Sequence, residues 1–427
     1  MKNMFKVLSV LSMTLLVLSC STIEKLKCPD KYEGKAMIPQ IKLGNEVFLE
    51  EHLDWVKGKK VGLVTNHTGI DSQLRSTADV LFEHPDVNLV ALYGPEHGVR
   101  GNVTAGGEIE SEIDKKTGLT MYSLYGRNAK RESMKTIKDL DVLVFDIQDI
   151  GSRSYTYITT MAETMIEAAT YGKTYIVLDR PNPTGGNMVE GNILDPEFKS
   201  GIGFYPIPYA HGMTIGELAK LFNEQFNINC DLKISKMKGW RRSMDFADTG
   251  LQWITTSPHI PEPDTPFYYN ITGIFGELNG VNIGVGYTSP FKLVGAPWIK
   301  GQELADHLNA KNLPGVIFSP TYYKPYYFHF NGEDCEGIRI HITDTSEIRC
   351  CAVGFHIMTA LRDLYPDDFN FEVPENKRRI GMFDKACGTD TVRKDFMAGR
   401  TAEEIIKNWE SNLGEFLPIR EKYLIYK

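Results

Sequence analysis

Apolar segments that alternate with amphipathic helical segments constrain the fold of this chain more than any other feature. Four short runs are apolar on both faces, as strands buried in a parallel sheet are. They lie in KKVGLVTNHTG, NLVALYGPEH, DVLVFDIQD and TYIVLDRPNP. Strands of this kind separated by helices predict an α/β fold with a doubly wound, mostly parallel sheet.

The helical segments carry their own signals. Residues 72–82 and 157–168 each place apolar side chains along one face, and Gly172 follows the second stretch as a helix end. Thr214 and Glu217 form a capping box ahead of a third amphipathic run. We expect a helix at each of these positions.

Polar side chains follow each of the four strands at its carboxyl end. The clusters are Asn66 with His67, Glu96 with His97, Asp146 with Gln148 and Asp149, and Asp179 with Arg180 and Asn182. In open parallel sheets, ligands bind in the crevice outside these strand ends. The sequence therefore predicts one site lined by acids, amides and bases.

Several classes of function lack support in the sequence. No G-x-G-x-x-G follows the first strand, and the chain contains no P-loop, H-E-x-x-H or G-x-S-x-G motif and no Cys/His spacing typical of zinc. A net charge of −8 gives a nucleic-acid partner no electrostatic support. We expect no cofactor and no metal. Carboxylate and imidazole groups favour acid–base work on a small polar substrate, and glycoside hydrolysis by two carboxylates fits best.

The first twenty residues predict export. Lys2 and Lys6 precede a short apolar run, and LVLSC resembles a lipobox ending at Cys20. We expect residues 1–20 to be a lipoprotein signal with Cys20 lipidated, and residues 21–44 to be a tether. The protein is then an exported lipoprotein of the cell envelope, facing the periplasm, whose only membrane contact is its lipid anchor. A Sec signal cleaved elsewhere is the alternative.

The remaining cysteines do not have the pattern of a disulfide framework in a chain of 427 residues. They are Cys28, Cys230, Cys335, Cys350, Cys351 and Cys387. Buried free thiols are expected, and a single bridge remains open.

Long ordered blocks resemble the exo-β-N-acetylmuramidases of the NamZ type over nearly all of residues 45–427. They include GLVTNHTG, ALYGPEHGVRG, LDVLVFDIQDIGSRSYTYI, VLDRPNPTGG, VEGNILD, HGMTIGELAKLFN and REKYLIY. The resemblance implies a Rossmann-like domain (residues 45–228), a smaller α+β domain (residues 229–427) and a cleft between them. It also implies removal of terminal N-acetylmuramic acid (MurNAc) from the non-reducing end of peptidoglycan fragments, either muropeptides or saccharides with N-acetylglucosamine (GlcNAc), without metal or nucleotide.

The resemblance also suggests roles. The glutamate of the family's GPEHG motif corresponds to Glu96, which is placed to act as a general acid. Three roles are open for His97: it holds Glu96 in place, it binds sugar, or it is purely structural. Glu190, in VEGNILD, is the candidate second carboxylate, with Asp146 and Asp149 as rivals. An N-acetyl group of the substrate that attacks the anomeric carbon would make a second carboxylate unnecessary.

Muramic acid carries a lactyl carboxylate, for which a guanidinium is a suitable partner. Arg100, Arg153 and Arg180 lie near strand ends and are candidates for binding it or for bracing loops. The other predicted substrate-binding residues are Asn66, Asp146, Gln148, Asn182 and His211.

The second half departs from the family pattern at two places. Where relatives commonly have Ser-Pro-Asn, His259 is the third residue. Where they have Glu-Gly-Thr-Asn followed by Gly-Arg-Gly-Thr, this chain has residues 277–280, ELNG, and residues 284–287, GVGY. The missing arginine leaves the identity of the sugar open. A sugar-binding lipoprotein without catalysis and an exo-hexosaminidase acting on GlcNAc are the alternative functions. Near the C-terminus, Thr401 and Glu404 predict a further capped helix with Trp409 inward.

Overall fold

A seven-stranded sheet with the strand order β3-β4-β2-β1-β5-β6-β7 forms the first part of the structure. The computed structural model describes residues 41–101 and 111–427, so Cys20 and the predicted signal peptide lie outside the described residues. The strands are β1 (Lys60–Thr65), β2 (Asn88–Gly94), β3 (Glu112–Ile113), β4 (Thr120–Ser123), β5 (Val142–Asp146), β6 (Thr174–Leu178) and β7 (Asp231–Ser235). Every neighbouring pair is parallel except β3 with β4.

Five helices cover the two faces of this sheet. They are α1 (Gly44–Glu51), α2 (Thr77–Glu83), α3 (Arg127–Lys135), α4 (Tyr157–Thr170) and α5 (Ile215–Gln225). The core under α1 and α2 includes Phe48, Val61, Leu63, Leu81 and Val144. The core under α3, α4 and α5 includes Val64, Met134, Phe145, Met161 and Leu218. Because successive strand residues point to opposite faces, both cores draw on the same strands. The doubly wound α/β fold is confirmed.

A smaller antiparallel sheet and seven helices form the second part. The sheet has the order β8-β10-β9, with β8 (Leu293–Ala296), β9 (Val316–Tyr323) and β10 (Cys335–Ile342). The helices are α6 (Thr265–Thr272), α7 (Gly301–Asn309), α8 (Cys350–Leu364), α9 (Pro374–Lys377), α10 (Ile380–Cys387), α11 (Thr391–Met397) and α12 (Ala402–Glu421). This is the smaller α+β region that the family resemblance implied.

The capping signals in the sequence are confirmed. The Thr214 hydroxyl accepts a hydrogen bond from the backbone N–H of Glu217, and the Glu217 carboxylate accepts one from the N–H of Thr214, at the start of α5. Thr401 and Glu404 make the same reciprocal pair at α12, where Trp409 is fully buried. Each box satisfies N–H groups that the first helical turn leaves unpaired.

The helix predicted from Ser72 starts late, at Thr77. The cause is Asp71, whose carboxylate accepts hydrogen bonds from the backbone N–H groups of Gln73 and Arg75. An aspartate that binds the backbone ahead of it stabilises a turn in competition with the helix. The first part of the predicted helix is therefore a loop.

Strand β7 and the end of the predicted tether cross the domain boundaries expected from sequence. Strand β7 lies beyond residue 228 and pairs in parallel with β6, and the described residues, 41–101 and 111–427, belong to one compact unit. Ile41 and Leu43, at the end of the predicted tether, are buried against Trp240. Across the described ranges, no helix is long and apolar enough to cross a membrane. The five cysteines that the structure describes are free and buried.

Gly44 allows α1 to approach the ends of β6 and β7. A Cβ atom there would lie 2.2 Å from the backbone nitrogen of Asp179 and 2.5 Å from the carbonyl oxygen of Ser235. We expect Gly44→Ala to lower the free energy of unfolding by about 1–3 kcal/mol, because the clash is with backbone that cannot rotate away. Gly201→Ala is the control, since no atom lies within 4 Å of its Cβ position. Equal melting temperatures for the two variants would contradict this packing.

Candidate active site

A strained turn follows β2. The backbone N–H of Gly98 donates to the carbonyl oxygen of Pro95 at 2.9 Å, and His97 has a φ of 73°. A positive φ at the third position is the geometry of a type II turn, where glycine is the favoured residue. A histidine there costs on the order of 1–3 kcal/mol, and such strain is concentrated at functional sites. The turn places Glu96 at the carboxyl edge of the sheet.

Glu96 opens onto a cavity of about 310 Å³. The lining residues are Glu96, His97, Ser154, Tyr155, Thr156, Tyr157, Ser257, His259, Ile260, Tyr269, Glu277 and Phe291. They come from the loop after β2, the segment that leads into α4, and the region around α6. Strands β2 and β5 lie on opposite sides of β1, so the cavity lies near the point where the strand order reverses, as ligand sites of doubly wound sheets do.

The Glu96 carboxylate faces the start of a helix. The hydroxyl of Thr156 donates to Glu96 Oε2 at 3.3 Å, and Thr156 is the residue before α4. The amino end of a helix carries partial positive charge, which stabilises a nearby carboxylate. Burial and then the charge of Glu96 raise the pKa of Tyr125. Glu96 is therefore positioned by hydroxyl groups and a helix end.

Three histidines lie close together beside Glu96. His67 Nε2 is 2.6 Å from the carbonyl oxygen of Thr255, so this nitrogen carries a proton and donates. Burial and the nearby His97 lower the pKa of both His67 and His259, which keeps these two rings neutral near pH 7. No cluster of His, Cys, Asp and Glu suited to a metal ion occurs in residues 41–101 and 111–427. Neutral imidazoles of this kind can bind sugar hydroxyl groups.

Glu277 brings a second carboxylate to the same cavity. It ends a short turn of helix after α6, and Arg379 Nη2 donates to its Oε2 at 2.7 Å. Burial raises the pKa of Glu277 while Arg379 opposes the shift. Sequence reasoning did not select Glu277, because it follows no strand of the parallel sheet. Its signal in the sequence is the family resemblance, because residues 277–280, ELNG, stand where relatives commonly have Glu-Gly-Thr-Asn.

Tyrosines line the same cavity as the two carboxylates. The hydroxyls of Tyr155 and Tyr157 donate to Thr256, to its Oγ1 at 3.0 Å and to its carbonyl oxygen at 2.7 Å. Tyr269 pairs with Ser154 at 3.0 Å, and burial raises the pKa of Tyr269 to about 12. These phenols remain protonated near neutral pH and leave the cavity without additional anions.

Asp146 and Arg180 lie apart from this cavity and pair with each other. The guanidinium donates to both carboxylate oxygens, at 2.5 and 2.9 Å, and both side chains are buried. Arg180 also lines a separate space of about 20 Å³ beneath residues 246–254. This covering segment and the bidentate pair fill the ends of β5 and β6, where the sequence had placed part of the substrate site.

Asn66 and Asn182 support the loops in which they lie. Each side-chain oxygen accepts from the N–H and the hydroxyl of the threonine two residues later, Thr68 and Thr184. Asn182 also donates to a backbone carbonyl. The Nδ2 group of Asn66 is buried and, in the part of the chain that the structure describes, has no hydrogen-bond partner. Asn66 does not line the cavity that contains Glu96.

Gln148 and His211 have internal partners. The Gln148 amide donates to the carbonyl oxygens of Asp149 and Pro181, both at 2.8 Å. His211 Nδ1 accepts from the N–H of Met213 at 3.2 Å, and its Nε2 lies 3.8 Å from Asp149 Oδ2. Neither side chain lines the cavity that contains Glu96.

The other two candidate arginines brace the fold. Arg100 binds Asp114 through two nitrogens and Asp79 at 2.9 Å. Arg153 is fully buried and donates to the carbonyls of Ala386 and Cys387 at the end of α10, where a helix carries partial negative charge. Burial lowers the pKa of Arg153 to about 10. Neither guanidinium lines the Glu96 cavity.

Glu190 is an anchor between the two parts of the structure. Its backbone pairs with Ala210 in both directions, and its Oε2 accepts from the N–H of Cys351 in the first turn of α8 at 2.9 Å. Burial raises the pKa of Glu190 to about 7. It lines a different cavity, of about 770 Å³. Of the residues selected from sequence, the Glu96 cavity contains Glu96 and His97.

Comparisons with known proteins identify relatives of this chain. Two family profiles match the chain: "Exo-beta-N-acetylmuramidase NamZ, N-terminal" over residues 61–264 and "Exo-beta-N-acetylmuramidase NamZ, C-terminal" over residues 267–426. The chain is 45% identical over 400 residues to the peptidoglycan beta-N-acetylmuramidase NamZ of Bacillus subtilis (strain 168), covering 93% of this chain and 94% of that protein.

Two crystal structures of DUF1343 family proteins from Bacteroides fragilis NCTC 9343 have the same fold. The first, at 1.65 Å resolution, is 45% identical with a TM-score of 0.86 and covers 91% of this chain and all of that chain. The second, at 1.30 Å resolution, is 29% identical with a TM-score of 0.72 and covers 91% of this chain and 99% of that chain.

The anchor role of Glu190 makes stability depend on pH. A folded-state pKa near 7, above the ordinary 4.5, means that the folded chain holds the proton more tightly than the unfolded chain. The stabilisation of the fold by this tighter proton binding is complete below the ordinary pKa and is lost as the pH rises through 7. We expect the melting temperature to fall between about pH 5 and about pH 8, and to fall less for Glu190→Gln.

The matched control is Glu415→Gln, an exposed substitution on α12. It should reproduce the wild-type dependence. Burial also raises the pKa of Asp179 to about 7, so some dependence remains in every variant. Identical slopes for Glu190→Gln and the wild type would contradict the assignment.

Proposed function

The chain belongs to the family of the exo-β-N-acetylmuramidase NamZ, and we propose that it releases terminal β-linked MurNAc from the non-reducing end of peptidoglycan fragments. The observation that carries the proposal is the pair Glu96 and Glu277, which come from different parts of the structure and line one polar cavity. Glycoside hydrolysis uses two such carboxyl groups.

Chromogenic glycosides of β-MurNAc and β-GlcNAc test this function. We expect turnover of the MurNAc glycoside. Turnover of the GlcNAc glycoside alone would identify an exo-hexosaminidase of different specificity. Turnover of neither, with binding retained, would identify a sugar-binding protein.

Glu96 is the general acid of this proposal. A glycosidic oxygen leaves poorly unless it receives a proton as the bond breaks, and Glu96 is placed to supply it. After the transfer, the Thr156 hydroxyl and the start of α4 stabilise the carboxylate that remains. The strained His97 backbone keeps the carboxyl group directed from the strand end into the cavity.

Glu277 replaces Glu190 as the second carboxylate in this proposal. The Glu190 carboxylate binds the first turn of α8 and lines another cavity, whereas Glu277 lines the cavity of Glu96. Glu277 either activates water or stabilises the positive charge that develops on the sugar. Where the substrate's own acetamido group attacks, Glu277 orients that group.

The lactyl carboxylate of MurNAc needs a cation, and we assign Arg379 to this role. Arg100, Arg153 and Arg180 are bound within the fold. Arg379 binds Glu277 at the cavity and keeps 36% of its side chain exposed. A planar guanidinium can bind two carboxylates at once through its different edges.

Replacement of the acid should separate chemistry from binding. We expect Glu96→Gln to fold normally, to bind MurNAc and to lose about 10²–10⁴-fold in turnover of a natural disaccharide, since the amide is isosteric but donates no catalytic proton. An aryl glycoside with an activated leaving group needs less protonation and should lose less. Steady-state kinetics on the two substrates measure both effects.

Glu415→Gln serves as the surface control and should retain full activity. Near-native turnover of the disaccharide by Glu96→Gln would remove Glu96 from the role. If Glu96 is the acid, Glu277→Gln should impair turnover of the activated and the natural substrates equally. If Glu96 is not the acid, Glu277→Gln becomes the variant that tests Glu277 for this role.

We also propose that the protein is an exported lipoprotein of the cell envelope, held on a membrane by acyl chains on Cys20. The support is the basic start, the short apolar run and the LVLSC sequence. A membrane-held hydrolase of this kind meets peptidoglycan fragments released from the cell wall. Catalysis does not depend on the anchor.

Metabolic labelling with a fatty-acid analogue tests the anchor. We expect the wild type to be labelled and Cys20→Ser to lose the label, because the lipobox cysteine is the acylated residue. Cys28→Ser is the matched control and should be labelled like the wild type. Equal labelling of all three proteins would contradict the proposal.

A further inference from the structure

Exposed aromatic side chains are concentrated in one segment after β9. Tyr326, Tyr327 and Phe328, here called the aromatic rim, expose 60%, 42% and 52% of their surface. Large apolar side chains that stand together in solvent mark binding surfaces. The proposed hydrolase chemistry uses none of the three.

Tyr327 connects the rim to the wall of the cavity. The Tyr327 hydroxyl lies 2.7 Å from Nε2 of His259, which lines the cavity. Burial, and then the charge of the nearby Arg379, lowers the pKa of His329, which follows the rim directly, to about 4. Arg379 in turn binds Glu277. The rim therefore lies next to the cavity, in contact with His259 of its wall.

The backbone of the rim is held in place before any ligand arrives. The N–H of Tyr326 donates to the carbonyl of Gly286 at 2.9 Å. A Cβ atom on Gly286 would lie 1.9 Å from the carbonyl oxygen of Tyr327, so only glycine permits this approach. Phe328 has a φ of 69°, a strained value for a bulky residue. A surface fixed in this way loses little conformational entropy when it binds.

We propose that the aromatic rim is a second sugar subsite, which binds the saccharide on the reducing side of the bond that is cleaved. This inference rests on the proposed function. An enzyme that removes a terminal residue encloses that residue, so the rest of the fragment extends out of the cavity. A sugar ring has an apolar face of C–H groups and polar edges, and a flat aromatic side chain covers such a face. The uncharged rim suits the neutral GlcNAc ring that follows MurNAc.

Tyr326→Ala combined with Phe328→Ala tests the subsite, because both side chains are exposed and neither lines the cavity. We expect the KM for the MurNAc-GlcNAc disaccharide to rise about tenfold, the effect of losing one well-packed binding contact. The β-glycosyl fluoride of MurNAc has a one-atom leaving group that cannot reach the rim, and its kcat/KM should not change.

Tyr322→Ala is the matched control. Tyr322 is 72% exposed and its hydroxyl bonds Glu336, away from the cavity lining. It should leave both substrates unaffected. An equal loss on disaccharide and fluoride, or no loss on either, would overturn the subsite. A loss confined to fragments that carry a stem peptide would also overturn it and identify peptide as the occupant.

The two proposals fail in different ways. A wild-type protein that hydrolyses neither the disaccharide nor the fluoride contradicts the hydrolase function itself. A wild type that hydrolyses both, with a double variant that behaves identically, contradicts only the rim subsite.

Discussion

Two buried ionisable side chains bind helix ends across the middle of the molecule, and the geometry of the active site depends on them. Glu190 accepts from the first turn of α8, and Arg153 donates to the last carbonyls of α10. Burying a charge is costly unless it finds partners, and unpaired helix ends are suitable ones. Each group therefore fixes one part of the structure against the other. That alignment brings Glu277 to the cavity of Glu96.

The polar residues at the carboxyl edge of the sheet have two roles: some support the fold, and Glu96 is available for the proposed chemistry. At the ends of β5 and β6, Asp146 pairs with Arg180 and a loop covers both. At the end of β2, the strained turn leaves Glu96 partly open to a cavity. The paired groups support the fold, whereas the strained turn presents the proposed acid to the cavity.

Much of the fold follows from local patterns. The four apolar strands, the capping boxes at Thr214 and Thr401 and the inward Trp409 are all present. These signals depend on periodicity and on side chains within one helical turn, so the sequence shows them directly. The helix expected from Ser72 failed for the same local reason, since Asp71 stabilises a competing turn.

The sequence by itself determined the α/β class, the strand-end position of Glu96 and its histidine neighbour, because parallel strands align their carboxyl ends. Only the tertiary structure decided which polar residues face the cavity. Arg180 and Asp146 are charged residues at strand ends, as the residues of a binding site would be. The strand register nevertheless brings them together as a buried pair. Glu277 is distant in sequence from Glu96 and joins it through packing of the two parts. Such pairing depends on strand order and helix docking, which no local pattern encodes.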